Sequence, residues 1–578
     1  MKFSVKRGAF AITVAALIAA NSAAAADRIT PIAVQFSRLH GPPDSGYWTD
    51  VRVPSIDNLG GAAFRAYFSD EIVNGGINTV YRSSNQQIIA RVGDHAPGLP
   101  VDVPFEEIIH LQASPQGPAA FLGYARNDDG EIPREGIWAE DASGQLRLVA
   151  LTGTEPPGVP AGTTLSPLAR WLHPSPPFYW WFPPPLPPFL VNGSGETAFY
   201  SLLDQSGSTH SSEGIWSEGG GQGLRLVVQR GMSVPQFSPG ATIATINTPQ
   251  DAVRMNDAGV AAFTALAVDP DYIGGGGIGL FIDDPQRGLI VAARSEQEAP
   301  GLPGVRFRNL LFPSLNNAGQ FVFVAEQLAD DPAAIPNLGI WSGSPGDFRL
   351  VAQTGAPAPG TDGLFLRLQG SLGWREDNLR PVINGEGEVA FAARIVGPGV
   401  DESNDTGVWV QDVQGQLQLV AREGDMVDGD RTLDDLLALA GGLILNNQGQ
   451  VAFQTTQGIW ATDVAGLIHN IVHLGDELPV GSPYSDSLTT EAPERFGMGR
   501  STGNQDGIGS SFNDRGELVF SAYDRFGYGI GVYLSRAVAV PEPAAAGILL
   551  FGCLLGCGWN RANGDQIGRN DADTSRSW

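Results

Sequence analysis

Eight copies of one short motif fill most of the chain and constrain its fold more than any other feature. The motif is Asn-x-x-Gly-x-x-Ala-Phe, with Val for Ala in two copies and with Asp or Ser for Asn in the first two. Its glycines recur 57 to 78 residues apart, at Gly60, Gly117, Gly195, Gly259, Gly319, Gly387, Gly449 and Gly516. Such a period predicts one supersecondary unit per copy, repeated into a larger array.

Each copy contains four short runs that favour β-strands. Asn-x-x-Gly is typical of a type I turn, in which Asn bonds the backbone ahead and Gly takes a positive φ. One apolar run precedes this turn and the Ala-Phe run follows it. A Gly-Ile-Trp run such as 136–138 and a Leu-Val-Ala run such as 146–150 complete the copy. No long stretch has helical periodicity, so we predict an all-β chain.

The two ends of the repeat array complement each other. The last copy stops after the Gly-Val-Tyr-Leu run at 531–534 and lacks a fourth strand, whereas residues 29–35 supply an unassigned one. A strand from the N-terminus that completes the last unit would close the ring and cover its edge. We therefore predict, for residues 27–537, an eight-bladed β-propeller of four-stranded blades closed by the N-terminal strand. An irregular β array and two smaller propellers are the alternatives.

The N-terminal 26 residues have the pattern of a secretory signal peptide. Lys2, Lys6 and Arg7 precede an apolar run at 9–20, and three alanines at 24–26 suit cleavage before Asp27. The sequence therefore predicts a signal peptide over residues 1–26, with an uncleaved membrane anchor as the alternative.

The C-terminus carries a second targeting pattern. A linker at 538–543 contains Val-Pro-Glu-Pro and leads into an apolar segment at 544–561, which is followed by a polar tail at 562–578. The apolar run is shorter than the roughly 20 residues of a membrane-spanning helix. The alternative is therefore a tail that packs on the body of the protein.

These motifs resemble two known bacterial patterns. The Val-Pro-Glu-Pro run, the apolar segment and Arg561 resemble the PEP-CTERM sorting signal of Gram-negative bacteria. The repeats, from about residue 30 to 560, resemble surface proteins named for tandem NxxGxxAF repeats with a choice of C-terminal anchor. The resemblance implies export by the secretion machinery, transient membrane contact, and recognition by an exosortase-type enzyme through Pro541, Glu542 and Pro543. It implies a location outside the cell or on its outer surface, and no established activity.

The charge and the cysteines exclude some classes of function. The net charge of −27 gives an acidic surface that repels phosphate backbones, which argues against nucleic-acid binding and favours cations or basic partners. Both cysteines, Cys553 and Cys557, lie in the C-terminal apolar segment. The repeat array therefore has no disulfides and depends on packing for its stability.

No catalytic motif or metal-ligand spacing occurs in the sequence. The seven histidines form no His-Glu-x-x-His pair, no Gly-x-Ser-x-Gly nucleophile elbow is present, and no glycine run has the context of a phosphate-binding loop. We therefore predict no catalytic residue and no cofactor. Acidic pairs between the second and third strands make Ca²⁺ a candidate ligand, with solvated loop tips as the alternative; the pairs are Asp128-Asp129, Asp269/Asp271, Asp330-Asp331 and Asp401-Glu402.

The most distinctive departure from the repeat is an insertion at 171–189. It combines eight prolines with a set of aromatic side chains that includes Trp171, Tyr179, Trp180 and Trp181. Proline stiffens an extended segment, and exposed aromatic rings can form a platform for sugars or for a partner peptide. These four residues are our candidate binding site. The alternative is a lid that packs on the ring.

Two functional hypotheses remain open from the sequence. The first is a non-catalytic binding or structural protein of the cell surface or extracellular matrix, with extracellular polysaccharide as a candidate partner. The second is a secreted propeller enzyme, a hydrolase or lyase, that acts on polysaccharide. Carboxylates that converge with Arg or His on the central channel would favour the enzyme, and Asn, Gly and apolar side chains there would favour binding.

Overall fold

The computed structural model describes residues 29–540 outside several loops and gaps. These are residues 36–46, 70–76, 127–133, 169–188, 206–211, 222, 247–252, 269–275, 329–336, 369–379, 429–430, 437–441, 483–484 and 526. The described residues form 40 β-strands, and eight sheets of four strand positions are arranged as the blades of a ring. The predicted eight-bladed propeller is thus confirmed. Among the described residues, no helix is long and apolar enough to cross a membrane.

The first four blades follow the chain from the predicted first copy to the fourth. Blade 1 comprises β2 (Tyr47–Val51), β3 (Ser55–Ile56), β4 (Ala62–Ser69), β5 (Ile77–Arg82) and β6 (Gln87–Arg91). Blade 2 comprises β7 (Phe105–Ala113), β8 (Ala119–Ala125), β9 (Arg134–Glu140) and β10 (Leu146–Leu151). Blade 3 comprises β11 (Thr163–Leu165), β12 (Phe189–Val191), β13 (Thr197–Gln205), β14 (Ser212–Ser217) and β15 (Arg225–Gln229). Blade 4 comprises β16 (Thr242–Ile246), β17 (Arg254–Met255), β18 (Ala261–Val268), β19 (Gly277–Asp284) and β20 (Gly288–Arg294).

The remaining blades are built in the same way, with two small hairpins between them. Blade 5 comprises β21 (Phe307–Leu315), β22 (Phe321–Gln327), β23 (Leu338–Ser344) and β24 (Asp347–Gln353). Blade 6 comprises β25 (Leu364–Leu368), β26 (Val382–Ile383), β27 (Val389–Val396), β28 (Thr406–Gln411) and β29 (Leu417–Arg422). Blade 7 comprises β32 (Leu443–Leu445), β33 (Val451–Gln454), β34 (Gly458–Thr462) and β35 (Ile468–His473). The hairpins are β30 (Met426–Val427) with β31 (Arg431–Thr432), and β36 (Leu478–Ser482) with β37 (Ser485–Glu491).

Blade 8 is assembled from both ends of the array. Its first three strands are β38 (Arg495–Gly497), β39 (Leu518–Tyr523) and β40 (Gly529–Ser535), and its fourth is β1 (Ile29–Val34). Strand β1 pairs antiparallel with β40 from Ile29↔Ser535 to Val34↔Gly531. The N-terminal strand therefore closes the ring as predicted, and it covers the edge that β40 would otherwise expose.

The Ala-Phe and Ile-Trp runs supply the core of each blade. In blade 2, Phe121 pairs across the sheet with Trp138, and the two rings stack with their centroids 6.0 Å apart. Equivalent stacked pairs occur at 5.5 to 6.2 Å in five other blades; these pairs are Phe199–Trp216, Phe263–Phe281, Phe323–Trp341, Phe391–Trp409 and Phe520–Tyr533. Offset stacking of this kind adds roughly 0.5–1.5 kcal/mol per pair to the burial of the rings.

The Pro-Gly turns connect successive blades by binding to this core. The indole N–H of Trp138 donates a hydrogen bond of 3.0 Å to Pro97 O, which lies in the connection from blade 1. Trp216, Trp341 and Trp409 bind Pro157, Pro300 and Pro359 in the same way. Gly98 follows Pro97 with a φ of +84°, and a Cβ there would lie 2.7 Å from Leu148 Cβ. The glycine is thus required both by its backbone conformation and by close packing.

The Asn residues of the motif do more than form turns. Six of them are buried, and each Oδ1 accepts the backbone N–H groups of the second and fourth residues ahead at 2.9–3.2 Å, as the turn prediction requires. The same side chain also donates from Nδ2 to a backbone carbonyl of the next blade at 2.8–3.1 Å. The series runs Asn192→Asn256→Asn316→Asn384→Asn446→Asn513→Asp57. One side chain therefore shapes the turn and joins two blades.

Arg–Glu pairs join the two interfaces where the motif has no Asn. Blades 1 and 2 carry Asp57 and Ser114 at this position, and neither has an amide to donate. Arg82 of blade 1 binds Glu140 of blade 2 at 2.5 Å, and Arg147 of blade 2 binds Glu218 of blade 3 at 2.6 Å. Both guanidinium groups engage both carboxylate oxygens, which is the strong, bidentate form of an ion pair.

Loss of one Asn should destabilise the fold through both of its roles. We expect Asn316→Ala to lower the free energy of unfolding by about 2–4 kcal/mol, because two backbone N–H groups and the Asn384 carbonyl lose buried partners. Asn316→Asp keeps the turn acceptor but removes the amide donor, so it should also be destabilising. Thermal and denaturant unfolding would measure both effects, with the exposed Asn85→Ala as the control. An Asn316→Asp variant as stable as the wild type would contradict the role between blades.

Candidate functional site

The predicted binding and sorting residues lie outside the described part of the chain. Trp171, Tyr179, Trp180 and Trp181 fall in residues 169–188, and Pro541, Glu542 and Pro543 fall in residues 541–578. The residues that flank the aromatic insertion, Leu168 and Phe189, are both buried in the core between blades 2 and 3. Strands β11 and β12, on its two sides, both pair with β13. The insertion therefore leaves the propeller from the middle of the first strand of blade 3.

The first strand is interrupted at the same place in other blades. Residues 247–252 separate β16 from β17, and residues 369–379 separate β25 from β26, while each pair of flanking strands shares one partner. In blade 8 the corresponding segment follows β38 and ends before Phe512, which bridges to Leu518. That segment, residues 499–511, is described throughout, and we call it the plug.

The plug contacts the first strand of all seven other blades. Ser510 O accepts Ile56 N of blade 1, Gly509 N donates to Gln112 Oε1 of blade 2, and Asp506 O accepts Met255 N of blade 4. Asp506 Oδ2 accepts Ser314 Oγ of blade 5, and Thr502 O accepts Leu445 N of blade 7. Gly507 packs against Leu190 of blade 3, and Gly503 packs against Ile383 of blade 6. Because one segment reaches every first strand, these strands surround the ring axis and the plug fills the channel between them.

Small residues allow the plug to lie this close to the strands. A Cβ on Gly503 would overlap Ile383 O, and a Cβ on Gly509 would lie 2.5 Å from Ser55 Oγ. Asn504 has a φ of +66°, and its Nδ2 donates to Phe512 O at 2.9 Å, which folds the segment back on itself. The plug is therefore packed as part of the core rather than as a surface loop.

A second series of hydrogen bonds joins neighbouring blades, and the plug supplies an acceptor at a place where this series lacks one. At five places the side chain after the first motif residue accepts a backbone N–H from the preceding blade, as when Asp257 accepts Gly193 N and Asn447 accepts Gly385 N. Gly385 itself has no side chain with which to accept Asn317 N. Gln505 Oε1 of the plug accepts it instead at 2.8 Å, and a Cβ on Gly385 would clash with this glutamine. Because residue 385 is a glycine, the space that its side chain would take is free for Gln505.

Charged side chains meet where the plug crosses blades 4 to 6. Arg254 Nε lies 3.6 Å from Asp506 Oδ2, and both side chains are buried. The other carboxylate oxygen accepts Thr502 Oγ1 at 2.7 Å. Arg380 of blade 6 lies with its guanidinium carbon 4.7 Å from the centre of the Phe312 ring of blade 5. Arg500, in the plug, is partly exposed.

The pKa values of Arg254, Arg380 and Arg500 are all lowered, and burial is the largest cause in each case. Burial lowers the pKa of Arg254, and Asp506 partly offsets the decrease. Burial and the charge of Arg500 lower the pKa of Arg380 to about 9, against the opposing effect of Asp506. Burial and the charge of Arg254 lower the pKa of Arg500 to about 10.

The remaining predicted ligand, Ca²⁺, has one described candidate site. Three of the four acidic pairs lie at least partly in residues 127–133, 269–275 and 329–336, outside the described chain. In the fourth pair, the exposed Asp401 accepts the hydroxyl and the N–H of Ser403, which closes a turn and lowers the pKa of Asp401. The described residues contain no group of three or more His, Cys, Asp or Glu side chains that could hold a metal ion.

The sequence prediction missed the plug and the arginines around it. Arg254 lies two residues before its Asn, where the other copies carry Ser55, Gln112, Leu190, Ser314, Val382, Ile444 and Ser511. A charged residue at this otherwise uncharged position was a usable signal. The segment at 499–511, which is rich in Gly and Ser and precedes the last Asn, was another.

The chain matches one protein-family model, and it is similar to solved structures that include a propeller. A family model described as "Family of unknown function (DUF7453)" matches residues 18–156 and 161–547. No curated protein matches the chain. The Dos1 propeller covers 89% of this chain and 98% of its own, at 9% identity and a TM-score of 0.35.

Two further solved structures are enzymes. The α-L-arabinofuranosidase of Fusarium graminearum, solved with arabinobiose, matches at 10% identity over 76% of this chain and 95% of its own, with a TM-score of 0.24. The acylaminoacyl peptidase of Pyrococcus horikoshii matches at 9% identity over 72% of this chain and 49% of its own, with a TM-score of 0.33. This chain thus spans about half the length of the peptidase. All three TM-scores are too low to support an argument about activity.

Close packing makes the plug sensitive to a single added methyl group. We expect Gly503→Ala to lower the free energy of unfolding by about 3 kcal/mol or more, because the new Cβ would overlap a backbone carbonyl that cannot rotate away. Gly363→Ala is the matched control, since a Cβ there meets its nearest atoms at 3.3 Å. Thermal unfolding of both variants tests the effect. Equal stability of the two variants would mean that the plug is loosely held.

Proposed function

Since the chain belongs to the DUF7453 family, whose description assigns no activity, we propose a function from the site itself: the protein is an exported, non-catalytic binding propeller of the cell surface or extracellular matrix. The observation that carries this proposal is the plug, which occupies the channel where propeller enzymes can place their catalytic groups. Among the described residues, the plug brings backbone, small side chains, Gln505 and the buried Asp506 into the channel, where Asp506 faces Arg254.

The chemistry of that carboxylate supports binding over catalysis. Glycoside hydrolysis ordinarily uses two carboxyl groups about 5–9.5 Å apart, one of them as an acid. Asp506 is buried and already accepts hydrogen bonds from Thr502 and Ser314 beside Arg254. Asp506 thus holds the plug in place, and its carboxylate is buried rather than open to a ligand.

The rigid ring supports a role in presenting loops. The blades are joined by Asn side chains, Arg–Glu pairs and the plug, so insertions that leave the first strands start from fixed points. The aromatic insertion at 171–189 is one of these, and we propose it as the platform that binds extracellular polysaccharide or a partner peptide. Ca²⁺ bound by the acidic loops is an additional proposal that rests on their composition alone.

The location and the cellular partners remain part of the proposal. The signal-peptide pattern at 1–26 and the Val-Pro-Glu-Pro motif support export by the secretion machinery, transient membrane contact through the C-terminal apolar segment, and processing by an exosortase-type enzyme. The expected destination is the outer surface or surroundings of a Gram-negative bacterium.

The alternative function is a secreted enzyme that acts on polysaccharide. One observation favours it: the buried Asp506 lies 3.6 Å from Arg254 Nε in the channel, and a carboxylate beside an arginine there is the kind of combination expected of an active site. Incubation of the purified protein with neutral and acidic polysaccharides decides between the two. New reducing ends would identify a hydrolase and unsaturated uronates a lyase, and either product would overturn the binding proposal.

Sorting should depend on the C-terminal motif. We expect replacement of Pro541, Glu542 and Pro543 by Ala to leave the full chain in the membrane fraction of a Gram-negative host that has an exosortase, because the processing enzyme no longer recognises it. The control is Asp571→Ala/Asp573→Ala in the polar tail, which keeps the motif intact. Fractionation and the mass of the released protein provide the measurement. Release of both variants alike would contradict sorting through this motif.

Sugar binding should depend on the aromatic insertion. We expect Trp180→Ala/Trp181→Ala to reduce binding on a glycan array at least tenfold, because each lost stacking contact contributes on the order of 1 kcal/mol. Tyr528→Ala, at an exposed aromatic of the described surface, is the matched control. Equal binding by both variants and the wild type would remove the insertion from the binding site.

A further inference from the structure

The ring has two faces, and the motif turns mark one of them. In blade 7 the strands pair so that the Asn turn at 446–449 lies beside the hairpin that joins β34 to β35. The same antiparallel arrangement holds in the other blades, and the motif turns of successive blades are bonded to one another. These turns and hairpins therefore lie on one face of the ring, which we call the turn face.

The chain leaves blade 8 on the turn face. Strands β39 and β40 are antiparallel, so the end of β40 lies beside the last motif turn. Three residues after β40, Val538 is buried in the core shared by blades 7 and 8, and its carbonyl accepts Gln450 Nε2 at 2.9 Å. Gln450 Nε2 also donates to Thr462 O at 3.0 Å. This shared donor fixes the exit of the chain beside the 463–467 hairpin of blade 7.

Exposed apolar side chains on the turn face are gathered around this exit. Four large aliphatic side chains of the described residues on this face are each more than half exposed; they are Leu59 in blade 1, Val413 in blade 6, and Val464 and Leu467 in blade 7. At the same turns and hairpins, blades 2 to 5 carry small residues, polar residues and prolines. Single exposed aliphatic residues are normal on a protein surface, whereas a one-sided group of them marks an interaction surface.

The hairpin of blade 7 is built so that its tip is apolar. The carboxylate of Asp463 accepts two backbone N–H groups of its own turn, and Val464 and Leu467 are exposed at the tip. The hairpin of blade 2 is closed by the same two hydrogen bonds, but Ala142 and Gln145 take the two positions there. The apolar tip is thus a property of the sequence of blade 7 and is not required by the shape of the hairpin.

Two arginines stand beside the same exit. Arg536, two residues before Val538, and Arg515, at the tip of the blade 8 turn, both contact the buried Glu517 and are about half exposed. Nη1 of Arg515 donates to Leu59 O at 3.1 Å, which places this cation beside the exposed leucine. Aliphatic side chains flanked by guanidinium groups suit a lipid surface, because the former enter the acyl boundary and the latter bind headgroup phosphates.

We propose that this part of the turn face docks on a lipid surface while the C-terminal apolar segment is in the membrane. The inference rests on the membrane contact proposed above, and it adds a surface of the propeller to that contact. Six residue steps separate Val538 from Ala544, where the apolar segment begins, and a chain spans at most about 3.5 Å per residue. A membrane that holds the segment is therefore within roughly 20 Å of Val538. A few aliphatic side chains bind a membrane weakly by themselves, so the contact ends when the segment is cleaved.

Fluorescent labels on single cysteines test the docking. The native cysteines are removed by Cys553→Ala/Cys557→Ala, and an environment-sensitive NBD group is attached to Val464→Cys or Leu467→Cys. The full chain is measured in vesicles of phosphatidylethanolamine and phosphatidylglycerol. We expect blue-shifted emission that nitroxide-labelled lipid quenches, because both positions meet the membrane. The matched control is Ala142→Cys, at the same place in the hairpin of blade 2, whose label should keep the emission of a group in water.

A label on Cys553, in a chain that carries only Cys557→Ala, reports whether the apolar segment enters the membrane. If this label stays in water, the proposed membrane contact fails and the docking inference fails with it. If it enters the lipid while the labels at 464 and 467 stay in water, the docking inference alone is wrong. A blue shift at 464 without quenching by lipid would mean contact with a second copy of the chain and would also overturn lipid docking, as would equal quenching at 142.

Discussion

The hydrogen bond from each Asn amide to the next blade is the interaction on which the ring depends. A blade is a twisted sheet whose faces need only apolar neighbours, and apolar packing alone tolerates sliding of one blade against the next. A buried amide that must bind one particular carbonyl does not tolerate it, since a displaced blade leaves both groups unpaired. The same side chain also sets its own turn, so the local shape of a blade and its position in the ring are determined together. Where the amide is missing, Arg82–Glu140 and Arg147–Glu218 join the blades.

The sequence was sufficient for the architecture because the repeated residues act locally. Turn glycines, stacked aromatic pairs and the indole bonds to the Pro-Gly turns involve neighbouring strands, so their pattern appears at fixed spacing. The closing strand was predictable as well, because the last copy lacked a fourth strand and residues 29–35 formed a strand that belonged to no copy. The donation from Asn to the next blade was not predicted, because the turn by itself was an adequate reason for an Asn at that place.

The centre of the molecule was not predicted, because it is made of contacts between distant residues that do not repeat and only isolated departures from the motif pointed to it. Asp506 lies 252 positions after its partner Arg254 in the chain, and no spacing rule connects them. The plug resembles an ordinary surface loop in composition, and only its burial against seven blades shows that it belongs to the core. The aromatic insertion is the reverse case: its composition is conspicuous, and its role stays a prediction.

The way blade 8 is assembled has a consequence for how the chain folds. The blade combines β1 with three strands from the end of the array, so the contact between Ile29 and Ser535 spans nearly the whole chain. A chain that emerges from the ribosome or from a translocon with its N-terminus first can form blades 1 to 7 one after another. It cannot close the ring until residue 535 has emerged. Ring closure is thus a late event of high contact order, and the ring stays open until the last blade is complete.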